Sequence, residues 1–213
     1  MTIFDKKFEV KEKELIEEGT YPARVYLLVD MGTHDAEWEG VIKPKHTVKI
    51  GFELIGTKME DGRPFVVTKD FTLSNGIYGT YIAKTSNLHK LLKSWLKFDE
   101  KKATYVDNLP EIVGSPALIS IGVKPSMKDK SKSVNCIEGI LPYKGKELPK
   151  AVNEKILYGL GESRKQPGAG FDKLYPWMQK QISECHEWCG KTGKTDTSVA
   201  NKDDGTQEGD IPF

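Results

Sequence analysis

Of 213 residues only three are cysteine and four histidine, and no run approaches the roughly 20 consecutive apolar residues of a membrane-spanning helix. Three cysteines in a chain of this length do not make a disulfide framework, so a reducing, cytoplasmic setting is expected. The first residues, Met1-Thr2-Ile3-Phe4-Asp5-Lys6-Lys7, carry neither the apolar stretch nor the cleavage site of an export signal. No paired carboxylates stand in a recognisable catalytic setting and the histidines are scattered, which argues against an enzyme. Cys185, His186 and Cys189 crowd one helical stretch, but a structural zinc wants four ligands, so helix packing is the expected role. Gly190-Lys191-Thr192 and Gly193-Lys194-Thr195 look like the end of a phosphate-binding loop. The glycine that such a loop needs upstream is replaced by Cys185 or Trp188. No cofactor and no metal are expected.

What the chain does have is charge, unevenly placed. The formal net is +1, from 32 Lys and Arg against 31 Asp and Glu. From Asp196 onward five acids (Asp196, Asp203, Asp204, Glu208, Asp210) face one base, Lys202. That stretch carries −4 and leaves +5 on residues 1–195. Between Lys84 and Lys150 thirteen lysines stand against seven acids. A basic body with an acidic end suits a nucleic-acid binder whose own end competes for its groove.

Hydrophobic periodicity divides the chain into an arm (1–19), one domain (20–190) and a linker with an acidic tail (191–213). Strand one is expected over 21–31, with Tyr21, Ala23, Val25, Leu27, Val29 and Met31 on one face by period two. A polar loop follows at 32–43, then strand two at 45–55. Asp61-Gly62 marks a hairpin turn into strand three at 64–73. The period then becomes helical. Ser86 caps a helix with Leu88, Leu91, Leu92 and Trp95 on one stripe, and a short helical turn is expected at 107–113. Strands four (117–123) and five (133–141) flank a lysine-rich loop at 124–132. A last helix opens at Pro176 and runs to Gly190, with Met178, Ile182, Cys185 and Cys189 on its apolar stripe.

Three strands, a helix, then two strands is the element order of the OB-fold, a mainly β, five-stranded Greek-key barrel, although other five-stranded meanders share it. Gly51, Gly122 and Gly139 inside strands suit the bends of a small barrel. An OB-fold binds oligonucleotides on its strand 2–3 face and through the loops after strands one and four. Cations for phosphates are then Lys43, Lys45, Lys49, Lys69, Lys124, Lys128, Lys130 and Lys132, and stacking candidates for bases are Trp38, Phe65 and Phe71. Phe52 alternates with Val48, Ile50 and Leu54 and belongs in the core. Phe65 and Phe71 share a face with Lys69, which leaves them open between core and surface.

The end of the chain, Asp203-Asp204-Gly205-Thr206-Gln207-Glu208-Gly209-Asp210-Ile211-Pro212-Phe213, is too polar to bury a core and is expected to be a disordered tail. Its tip, Asp210-Ile211-Pro212-Phe213, resembles the ending of bacterial single-stranded DNA-binding proteins. In that family the acidic tail docks on replication and repair proteins, so the resemblance implies partner binding by Asp210, Ile211, Pro212 and Phe213. Residues 19–141 and 171–188 are also broadly similar, in element order, to bacteriophage-encoded OB-fold proteins of this kind. The resemblance implies coating of single-stranded DNA in replication, recombination or repair, in a bacterial or phage-infected cytoplasm. The body departs from the bacterial family in its N-terminal arm, its insert after strand five and its closing helix, so oligomeric state does not carry over. The rival expectation is a protein-binding adaptor whose tail mimics the host tip.

Overall fold

The structure is a computed structural model that describes residues 14–75, 82–126, 129–145, 148, 150–159 and 167–189. The expected tail and most of the expected arm lie outside the described residues. Among those described the protein is mainly β. Strands β1 (Gly19–Trp38), β2 (Val41–Lys58), β3 (Pro64–Asn75), β4 (Pro116–Pro125) and β5 (Ser133–Pro142) form one open antiparallel sheet in the order β3-β2-β1-β4-β5. A short sixth strand, β6 (Ile156–Tyr158), pairs in parallel with β1 and was not legible in the sequence. Helix α1 (Asn87–Leu96) lies between β3 and β4 in the chain, followed by a five-residue helix α2 (Glu100–Thr104) and a 3-10 turn at Val106–Ile112. As expected, Ser86 caps α1, its Oγ accepting from His89 N at 3.1 Å.

The longest strand does not keep one face. The register of β1 against β2 slips between Val25 and Leu27, and again between Asp30 and Gly32. Each slip inserts one residue, and one residue reverses the alternation of every side chain beyond it. Ala23, Val25 and Leu28 therefore enter the main core, while Leu27, Val29 and Met31 turn to the opposite face. This corrects the single period-two face expected for 21–31. Gly51 sits opposite the first slip, where a Cβ would come 2.9 Å from Leu27 Cβ and 3.0 Å from the Tyr26 ring. Nothing larger than glycine fits against that slip.

Two apolar clusters result, one on each side of the sheet. The main core packs Val48, Ile50, Phe52, Leu54, Phe65, Phe71 and Leu73 against Leu88, Leu92 and Trp95 of α1, with Ile119, Ile121, Ile137 and Ile140 closing it. Trp95 packs its ring 5.9 Å from that of Phe52 and donates Nε1–H to Pro116 O at 2.9 Å. The second cluster joins Tyr26, Leu27, Val29 and Met31 to Tyr158, Leu174, Met178 and Ile182. Helix α3 (Pro176–Ser183) thus lies on the outer face of the sheet. The expected helix to residue 190 is broken at Glu184 and Cys185, and α4 (His186–Cys189) turns toward β1.

Three polar contacts tie α4 to the bend of β1. Glu187 accepts from Thr33 N and Thr33 Oγ1, both at 2.9 Å, and His186 Nε2 pairs with Asp35 at 3.0 Å. Cys185 lies so close beneath Gly32 (φ 76°) that a Cβ there would stand 2.6 Å from Cys185 Cβ. Burial raises the pKa of the Glu187 carboxyl, but the hydrogen bonds from the Thr33 and Glu187 backbone N–H groups and from the Thr33 hydroxyl outweigh it. The carboxyl is held below its ordinary value, with the field of His46 acting in the same direction. Its contribution is therefore complete above the unfolded-state pKa of about 4.3 and is lost as pH falls through the lower folded value. Trp188, packed 5.2 Å from the Phe171 ring, reports on this contact. Its emission should red-shift in an acid titration, and Glu187→Gln should remove that step while the Asp35–His186 pair remains.

Candidate nucleic-acid interface

Two hairpins carry most of the candidate cations, one at each end of β1. The first is longer than the sequence suggests. The expected loop at 32–43 is instead strand on both sides, turning at Glu39 (φ 51°) and Gly40 (φ 78°), a two-residue turn with both central residues left-handed. The Trp38 backbone pairs with Val41 at this tip, and the Trp38 side chain lies outside the described part. Lys43 is exposed there and Lys45, opposite His34, is half-buried.

The second hairpin joins β4 to β5 beside the start of β1, where Gly19 pairs with Ile121. Its turn is ordered by Asp129, whose Oδ1 accepts from Ser131 Oγ at 2.6 Å and Ser131 N at 3.1 Å. Those bonds hold the exposed Asp129 carboxyl below its ordinary value. Ser126 N donates to Lys132 O at 2.7 Å and Lys132 N to Asp129 O at 3.0 Å, so the base of the turn is closed. Lys130 and Lys132 stand exposed on it, Lys124 is half-buried below, and Lys128 lies outside the described residues. The Trp38 backbone and this basic hairpin lie at opposite ends of β1.

Four of the expected site residues are used internally. Phe65 and Phe71 are 5% and 6% exposed and belong to the main core, which corrects their assignment as stacking faces. Lys69 shares their face without entering the core. Its Nζ donates to Ile137 O at 2.9 Å, across the gap where β3 and β5, the two ends of the strand path, approach without pairing. Burial, with the charge of Lys124 adding to it, lowers the Lys69 pKa. Lys49 is 7% exposed, ion-paired to Asp70, and lies 5.3 Å from the centroid of the Trp177 ring. An ammonium enclosed between a carboxylate and an indole is not free to meet a phosphate, which corrects its assignment as well.

The gap between β3 and β5 is spanned by the end of the arm. Ile16 is buried there, its N–H donating to Asn135 Oδ1 at 2.9 Å and its carbonyl accepting from Asn135 Nδ2 at 2.8 Å. Glu14 accepts from Glu60 N at 2.9 Å in the β2–β3 turn, and Glu18 from Val123 N at 3.0 Å in β4. Residues 14–18 thus belong to the folded body.

The sequence reading missed the exposed aromatics of α3. Tyr175 and Trp177 flank Pro176 at the first turn and are 41% and 50% exposed. The signal was available. Trp177 precedes Met178 of the buried stripe by one residue, and adjacent helical residues do not share a face. Tyr175 lies near Tyr26 and Arg63, and burial followed by Tyr175 and Glu53 pushes the Tyr26 phenol well above its ordinary value. The Cys185, His186 and Cys189 side chains diverge to Gly32, Asp35 and the Ser183 carbonyl. The Cys185 thiol, pushed up to about 12 chiefly by burial, is a packing group. No protein-family model matches the chain, and no curated protein matches it either.

Proposed function

We propose that this protein binds and coats single-stranded DNA without strong sequence preference and recruits replication or recombination proteins through Asp210-Ile211-Pro212-Phe213. The observation that carries the reading is the strand path β3-β2-β1-β4-β5 with α1 inserted between β3 and β4. An OB-fold Greek-key barrel left partly open between its third and fifth strands would follow this path, which supports the reading. The exposed lysines of the β4–β5 hairpin, and Lys43 at the tip of the β1–β2 hairpin, supply cations where such a barrel meets a strand. The partner-binding role of the tip rests on its resemblance to the bacterial tails.

Titration with oligo-dT at low salt should change tryptophan emission and raise anisotropy, and the affinity should fall steeply with salt. Lys130→Ala with Lys132→Ala should flatten the log–log salt dependence by about 0.7 for each phosphate contact removed. No response from the unmodified protein at low salt would overturn the reading. An adaptor that binds protein through the barrel has one observation in its favour, the exposed Val41 and Ile42 at the hairpin tip. It predicts partner capture by a protein that leaves oligo-dT free.

A further inference from the structure

Trp177 is placed with unusual care for a side chain that leaves half its surface in water. Pro176 fixes the start of α3, and Met178 and Ile182 anchor the helix in the outer cluster. Beneath the indole lies Lys49, buried and held by Asp70. One face of the ring is thus occupied by a cation, and a cation on a ring draws on the same electron density a second would need. The open side suits an uncharged π-system. Tyr175, exposed two residues earlier and close to Arg63, extends the aromatic surface along the sheet.

We infer that Trp177 and Tyr175 form a base-stacking platform on α3, with Lys49 as the residue that positions the indole, so that a bound strand lays its bases on α3. This rests on the nucleic-acid reading above and specifies which part of the strand the outer face receives. The ligand class is a run of unpaired bases. Recognition is by π-faces, which every base has, so it does not distinguish sequence.

The test compares oligo-dT with an abasic oligodeoxynucleotide of equal length, against wild type, Trp177→Ala, Trp177→Phe and Tyr175→Ala. Trp177→Ala should weaken oligo-dT binding by about five- to a hundredfold. It should leave the weaker binding of the abasic strand unchanged. Trp177→Phe should restore much of the loss, and Tyr175→Ala should reproduce it to a smaller degree. Lys49→Met should weaken oligo-dT binding without changing the salt slope, because its charge meets no phosphate. If wild type binds oligo-dT and all of these variants bind it equally well, the platform is wrong and the broader function stands. If wild type binds neither strand, the broader function fails. An equal loss for both strands also overturns the platform, since it assigns the effect to the backbone.

Discussion

Phe71→Ala should lower the unfolding free energy by about 3–5 kcal/mol, read as a fall in the urea midpoint at unchanged slope. The ring is buried with Phe52, Leu73 and the apolar stripe of α1, so truncation removes its transfer energy and leaves a cavity. The competing expectation makes the opposite forecast. A ring that stacked on bases from the outer face would cost affinity when removed and almost no stability. Measuring both on one variant decides the matter, and Phe65→Ala should behave alike. A Phe71→Ala protein as stable as wild type but deficient in oligo-dT binding would return the ring to the surface.

Glu53→Ala should be the most damaging change of a charged residue. Glu53 is 1% exposed on the outer face of β2, and its carboxylate accepts from Val152 N, Asn153 N and Asn153 Nδ2 at 2.7, 2.7 and 2.8 Å. No basic side chain pairs with it among the described contacts. Three aligned N–H donors do the work of a counter-ion, as they do where a backbone nest holds an anion. Removing the acceptor leaves those donors unpaired, at a cost of about 1–3 kcal/mol. The readout is local as well as global. Limited proteolysis should cut within residues 150–159 much faster in Glu53→Ala, ahead of cleavage in the five long strands. Glu53→Gln should fall between, because its amide keeps one acceptor and turns a donor toward donors. Uniform cleavage across the chain would show that this contact does not pin the segment.

The parts of the fold that were legible in the sequence were those set by local chemistry. Asp61-Gly62 turns where expected, Gly62 N bonding to Met59 O at 2.9 Å, and Ser86 caps the helix that its neighbours' spacing announced. What escaped was set by contacts between distant residues. The slips in β1 reverse the faces of Leu27 to Met31, yet no turn residue marks the first of them. Its cause is on another strand, at Gly51. Three residues of β6 carry too little pattern to be read at all. The site was less legible than the fold. Lysines and aromatics were counted for the ligands they could meet, whereas Lys49 and Lys69 are engaged by Asp70 and by the Ile137 carbonyl, partners 21 and 68 residues away. Trp177 flanks the apolar stripe of its helix without belonging to it, and the exposure of its ring is set by how α3 packs on the sheet.

Lys69 has a meaning for self-association. A sheet whose end strands do not pair offers main-chain donors and acceptors to any other extended chain, and a second copy of the same sheet is the nearest supplier. Here an ammonium points inward from the end strand itself and already occupies the Ile137 carbonyl of the opposite end. A foreign strand that entered would displace that bond and enclose an unpaired cation, a penalty that grows the more completely it docks. The same lysine that bridges the two ends of one molecule's sheet therefore guards it against being extended by the next.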